Sequence, residues 1–166
     1  MKLTLVSPPG VEPVSAADAK LHLRVEHALD DTLIAGLIGA AREWAEAFTG
    51  RKLITQTWSV WLPAWPPARF RVPLSPVQSV TSIVYTTVGG AETTVSADTY
   101  ALAPDETLWL AREAAWPTEE ISLPKGVTIT VKVGYGDAAT NVPKRFVQAM
   151  LLMIGHWYEH RESVNI

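Results

Sequence analysis

The chain has 166 residues, 48% of them hydrophobic and 19% charged, with 14 basic and 17 acidic side chains and a formal net charge of −3. That length supports one core burying roughly 70% of the unfolded surface, so a single domain over residues 1–166 is expected. The lack of cysteine excludes disulfides and thiolate metal sites, and slight acidity with no block of like charge argues against a phosphate-binding surface.

Met1 to Pro13 carries one cation, Lys2, and a four-residue apolar stretch ended by Pro8, Pro9 and Gly10. It is too short for a signal peptide or a membrane span, so a soluble protein with no cleaved leader and no membrane partner is expected. Ser15, with Asp18 three residues on, reads as an N-cap opening a short helix over about 15–23, to which Leu21 and Leu23 lend a small apolar face. Asp30 or Asp31 then caps a helix over about 31–49. Leu33, Ile34, Leu37, Ile38, Ala41, Ala45 and Phe48 recur along it at spacings of one, three and four, and Gly50 suits its termination.

From Leu53 to Leu62 the period changes to two, with Ile54, Trp58, Val60 and Leu62 on one face and Thr55, Thr57, Ser59 and Trp61 on the other. Prolines at 63, 66, 67, 73 and 76 allow at most a brief extended piece around Phe70 to Val72. Val77 to Val88, Gly89-Gly90 and the return through Ala91 to Val95 read as a hairpin with a glycine turn. Short strands fit Tyr100 to Leu102 and Leu108 to Leu110, and Val127, Ile129, Val131 and Val133 alternate with polar residues. A β-rich, antiparallel middle over about 53–133 follows. Pro143 then opens a final helix over about 143–160, striped by Phe146, Val147, Met150, Leu151, Ile154, Trp157 and Tyr158. The fold class is α+β: a small helical bundle made of the N-terminal helices and the C-terminal helix, packed stripe to stripe, with the β-rich segment inserted between them.

Three patterns bear on chemistry. His156-Trp157-Tyr158-Glu159-His160 matches the H-x-x-E-H zinc motif, which sets two imidazoles a helical turn apart beside a carboxylate base; the competing interpretation is the solvated end of a helix. Gly134-Tyr135-Gly136-Asp137-Ala138-Ala139 resembles a dinucleotide fingerprint but opens into no helix and precedes no second strand, so a turn is expected. His22 and His27 near Asp30 and Asp31 fit a solvated helix connection. With no phosphate loop and no nucleophile elbow, neither catalytic, cofactor-binding nor metal-binding residues are assigned. Trp61, Trp65 and Trp116 fall outside the core stripes, in the residue class that anchors interfaces. Together with the Gly89-Gly90 tip they are candidate interface residues.

The pattern as a whole resembles the connector, or adaptor, family of phage head-completion proteins. The residues that carry the likeness are Pro13 to Val25, Ala40 to Arg51 with Leu53 to Trp58 directly after, Pro76 to Val80, Gly134-Tyr135-Gly136-Asp137, and Gly155 to Glu162. The resemblance implies a structural protein, not an enzyme, in the virions of long-tailed bacteriophages or related gene transfer agents. It implies a ring, commonly of 12 subunits, at the head-tail interface beneath the portal protein. A stopper, tail terminator or other head-completion protein would sit below, and double-stranded DNA would pass through the lumen without sequence-specific binding. Synthesis would be in the host bacterial cytoplasm. Family members often extend past the last helix to dock on the portal, which adds Glu162, Ser163, Val164, Asn165 and Ile166 to the candidate interface. The alternatives are another head- or tail-completion protein of a phage-like particle, and a zinc hydrolase using residues 156–160.

Overall fold

A computed structural model describes residues 1–123 and 125–160. The chain forms two compact units, one of residues 9–54 and 135 onward and one of residues 1–8 and 55–134. The first is helical. It holds α1 (Ala16–Leu23), α2 (Asp31–Thr49) and α3 (Lys144–Glu159). The observed architecture is the expected α+β arrangement, helices at both ends of a strand-rich middle.

Local chemistry sets the start of α1 and the ends of α1 and α2, whereas Asp30 holds the N-cap position of α2 without a side-chain capping hydrogen bond, its carboxylate accepting from the Tyr158 hydroxyl instead. The Ser15 hydroxyl accepts from the Asp18 amide at 3.0 Å and donates to the Asp18 carboxylate at 2.6 Å, so one of the unpaired amides of the first turn is satisfied. Arg24 closes α1 in the left-handed region, and Gly50 closes α2 at a φ of 66°, where a residue without a Cβ meets no penalty. The buried stripe of α2 is Ile34, Ile38, Ala41 and Ala45; that of α3 is Phe146, Met150 and Ile154. These stripes share one core with Val14, Ala19, Leu53, Ile54 and Val142. The helices pack stripe to stripe, but Leu21 and Phe48 depart from the expected faces, being 80% and 76% exposed. At 100° per residue Phe48 lies at the edge of the buried stripe, about 20° from Ala41 and about 60° from Ala45, and in the last turn of α2; α1 turns Ala19 inward instead.

A buried carboxylate holds the exit from α2. Glu46, only 4% exposed, accepts from the Leu53 amide at 3.0 Å and from Lys52 Nζ at 3.1 Å, and Arg42 NH1 lies 3.9 Å away. A charge at that depth is tolerable only when so paired. The chain returns beside its point of departure: the Tyr135 amide donates to the Leu53 carbonyl at 3.2 Å, and Arg51 NH1 donates to the Tyr135 hydroxyl at 2.9 Å.

The second unit is all β. A five-stranded antiparallel sheet has the order β1 (Lys2–Ser7), β2 (Gln56–Leu62), β8 (Val127–Val133), β4 (Val77–Thr86), β5 (Glu92–Thr94). A three-stranded sheet runs β3 (Arg69–Arg71), β7 (Thr107–Leu110), β6 (Tyr100–Leu102). β8 is central, and its alternation is complete: Val127, Ile129, Val131 and Val133 are all fully buried, as a period of two over a one-sided core requires. Val60, Leu62, Ile83, Tyr85 and Leu108 fill the same core. β1 was not expected from its sequence. It pairs with β2 from Lys2↔Trp61 to Ser7↔Thr57, yet all six of its residues are exposed, so no buried face marks it as a strand.

Gly126 shows how closely this unit is fitted. Its φ is 63°, and a Cβ there would lie 2.2 Å from the Leu62 carbonyl oxygen. Gly50 has a similar φ but open space around it. Gly50→Ala should therefore cost about 1 kcal/mol for the left-handed backbone alone, whereas Gly126→Ala should cost roughly 2–4 kcal/mol because backbone must also move. Urea denaturation of the two variants checks the order.

Candidate functional site

The histidine motif lies at the C-terminal end of α3. His156, Glu159 and His160 are all exposed. The two rings are 4.8 Å apart, and the His160 amide donates to the His156 carbonyl at 2.9 Å, as helical spacing requires. Among the described residues no group of three His, Cys, Asp or Glu side chains is placed to hold a metal. The residues between the histidines do structural work: Trp157 and Tyr158 pack half-buried on the helical core, and the Tyr158 hydroxyl donates to the Asp30 carboxylate at the start of α2.

The glycine motif is a turn leaving β8. At Gly136, φ 152°, a Cβ would lie 2.6 Å from Asn141 side-chain atoms. Asn141 Oδ1 accepts from the Ala138 amide at 3.1 Å, and a single 3₁₀ turn, Ala139–Asn141, leads to α3. The loop is closed on itself by that hydrogen bond and offers no helix N-terminus to a pyrophosphate.

The tryptophans are placed in two ways. Trp61 is half-buried on the sheet face opposite Val60 and Leu62; its indole donates to the Lys125 carbonyl at 2.6 Å, and it borders an open cavity of about 510 Å³ with Thr86, Glu92 and Thr128. Trp65 and Trp116 stack on each other with centroids 5.3 Å apart, and Trp65 also meets Tyr85 at 4.9 Å. This aromatic group closes one side of the β core. Gly89 and Gly90 form the exposed tip between β4 and β5, where Gly90, φ 87°, donates its amide to Thr87 at 2.8 Å. Glu162, Ser163, Val164, Asn165 and Ile166 lie outside the described residues.

Shifted titration in the β unit follows from its contacts. The Tyr85 hydroxyl is pushed up, chiefly by its hydrogen bond to Glu119 and then by burial. Burial raises Tyr100. The Asp105 carboxyl is held low, first by the Thr107 hydroxyl.

Residues 15–100 match the model of the phage gp6-like head-tail connector protein family, a span of more than half the chain. The chain belongs to that family. Over its full length the connector also resembles chains of solved gene transfer agent particles. In a virion of the native particle, the similar chain is 26% identical with a TM-score of 0.83, and the match covers 100% of the connector and 88% of that chain. In the neck of an empty particle computed with C6 symmetry, the figures are 26%, 0.85, 100% and 88%. In the neck of a native particle computed with C12 symmetry they are 25%, 0.78, 100% and 87%. No curated protein matches.

For a connector, surfaces matter more than clefts, and two features went unread in the sequence. Trp44 and Phe48 on α2 stack face to face, centroids 5.0 Å apart and planes within 7°, and Trp44 is 50% exposed. An open, apolar cavity of about 590 Å³ lies between the lead-in to α1, α2 and the 137–139 loop. The aromatic pair is detectable as an i, i+4 spacing set off from the Ile34–Ala45 line; the cavity is not, since three distant segments build it.

The structural reading of α3 predicts a contrast. Tyr158→Phe should lower stability by roughly 1–2 kcal/mol through loss of a bond to a charged acceptor. His160→Ala should change it by less than about 0.5 kcal/mol, and zinc should leave the melting temperature of the unmodified connector unchanged. Thermal unfolding with and without zinc tests all three.

Proposed function

We propose that the connector is a structural, non-enzymatic subunit of the particle neck, joining capsid to tail as a ring of commonly 12 copies beneath the portal. Its lower face receives the next head-completion, stopper or tail-terminator protein, and double-stranded DNA passes through the lumen. The observation that carries this reading is the full-length similarity to chains of a neck computed with C12 symmetry, joined to membership of a head-tail connector family.

Three features of the molecule agree with such a role. A net charge of −3 leaves little of the phosphate attraction that would arrest a sliding polyanion. No described helix is long and apolar enough to cross a membrane. The β unit offers surfaces to partners: the exposed Gly89-Gly90 tip, the half-buried Trp61, and the wholly exposed edge strand β1, whose unpaired backbone groups can accept a further strand. Trp65 and Trp116 contribute through the rim of their stacked group, and residues 162–166 by docking on the portal.

Removing the connector from a producing cell should leave heads and tails that accumulate separately. Electron microscopy of the lysate, with complementation by the intact chain, reads this out. Tailed particles at the normal yield without the connector would refute the assignment. Trp61→Ala should lower ring or portal assembly, measured by microscopy, more than it lowers the melting temperature; unchanged assembly would remove Trp61 from the interface.

A further inference from the structure

The helical unit carries an apolar projection and an apolar recess, and neither is filled or covered by another side chain among the described residues. The projection is the Trp44–Phe48 pair. It ends a second stripe of α2, Leu33, Leu37, Ala40, Trp44 and Phe48, spaced by four, three, four and four residues. This stripe lies beside the buried Ile34–Ala45 stripe and is largely exposed. The recess is the 590 Å³ cavity, floored by Val14 and Ile38 and walled by Val11, Ala35 and Ala138, with Asp137 among its lining residues. Val14 and Ile38 are almost completely buried, so the floor is core side chain and does not consist of mobile loop.

Ala35 and Trp44 are nine residues apart, about two and a half turns at 3.6 residues per turn. They therefore leave α2 in opposite directions. A knob on one side of a rigid helix and a hole on the other cannot meet within one molecule, and two copies cannot satisfy both by a two-fold contact. They can meet head to tail, knob of one copy in hole of the next, which is the heterologous geometry that generates rings when the rotation closes. Size and chemistry agree. Trp44 and Phe48 are 50% and 76% exposed, so of the roughly 150–250 Å² that each aromatic side chain can bury about 200–300 Å² in total is left to cover, roughly a third of the roughly 800 Å² per partner of a standard interface. The indole N–H of Trp44 needs an acceptor once desolvated, and Asp137 is an acidic residue at the cavity.

We infer that the lateral contact of the assembled connector is made by Trp44 and Phe48 of one copy seated in the cavity between Val11, Ala35 and Ala138 of the next. This rests on the ring reading above and names the surfaces that make it. The occupant of the cavity is a second copy of this chain.

The test uses two variants of the full chain, one without the knob (Trp44→Ala with Phe48→Ala) and one with the hole filled (Ala35→Trp). All three positions are exposed, so both variants should keep the circular dichroism and melting temperature of the unmodified connector. Each alone should need roughly 100-fold more protein to assemble, as loss of a hot-spot cluster implies. Mixed one to one they retain a single compatible interface, so mass photometry should show a heterodimer and nothing larger. Rings from either variant at wild-type concentration, or no heterodimer on mixing, overturn this inference and leave the ring reading standing. If the unmodified connector forms no ring, alone or on its portal, both fall. If a variant unfolds, the cysteine-free chain permits a second measurement that keeps both aromatics: Ala47→Cys, at an exposed position beside the pair, combined with Ala138→Cys should give an oxidised ladder of covalent oligomers from assembled rings, and monomers alone would overturn the contact.

Discussion

The structure depends on α2 packing against α3. The two helices lie at opposite ends of the sequence, and about eighty residues of β structure intervene between Thr55 and Gly134. Ile34, Ile38, Ala41 and Ala45 must find Phe146, Met150 and Ile154 across that gap, and the entropy of closing so long a loop is modest because it grows only with the logarithm of length. What makes the closure specific is the junction. Glu46 holds Leu53 at the end of α2, and Leu53 in turn accepts the Tyr135 amide as the chain returns. The chain thus leaves and re-enters the helical unit at neighbouring residues.

That arrangement suits a connector. A subunit that joins unlike partners needs separate surfaces on a stable frame, because loops alone would have to be ordered at each contact at a cost in conformational entropy. Here the frame is two independent cores, one of helices and one of sheets. The surfaces are what the cores leave uncovered: an edge strand, a glycine hairpin tip, and an aromatic pair beside an apolar recess. The shifted titrations of Tyr85, Tyr100 and Asp105 reflect burial and hydrogen bonding in the sheets.

Legibility varied with the range of the interaction. The α1 cap, the termination of α2 at Gly50, the strand Val127–Val133 and the glycine hairpin were all readable, because each follows from residues within a few positions of one another. β1 was not, since Leu3, Leu5 and Val6 bury no face and acquire strand geometry only from pairing with Trp58 and its neighbours in β2. Phe48 was misread as core for a related reason: helical period shows which residues share a side of α2, but two adjacent apolar stripes look like one wide stripe until α3 occupies one of them.

By itself, then, the amino-acid order determined the types of the elements after β1 and the bracketing of strands by helices, because caps, periods and turn residues act locally; the likeness to a head-tail connector rests on particular residue runs between Pro13 and Glu162. Tertiary structure alone decided which stripe of α2 is covered, where β1 pairs, and that Val11, Ala35 and Ala138 enclose a recess. Those features arise from side chains far apart in sequence competing for the same neighbours, and no local pattern records the outcome of that competition.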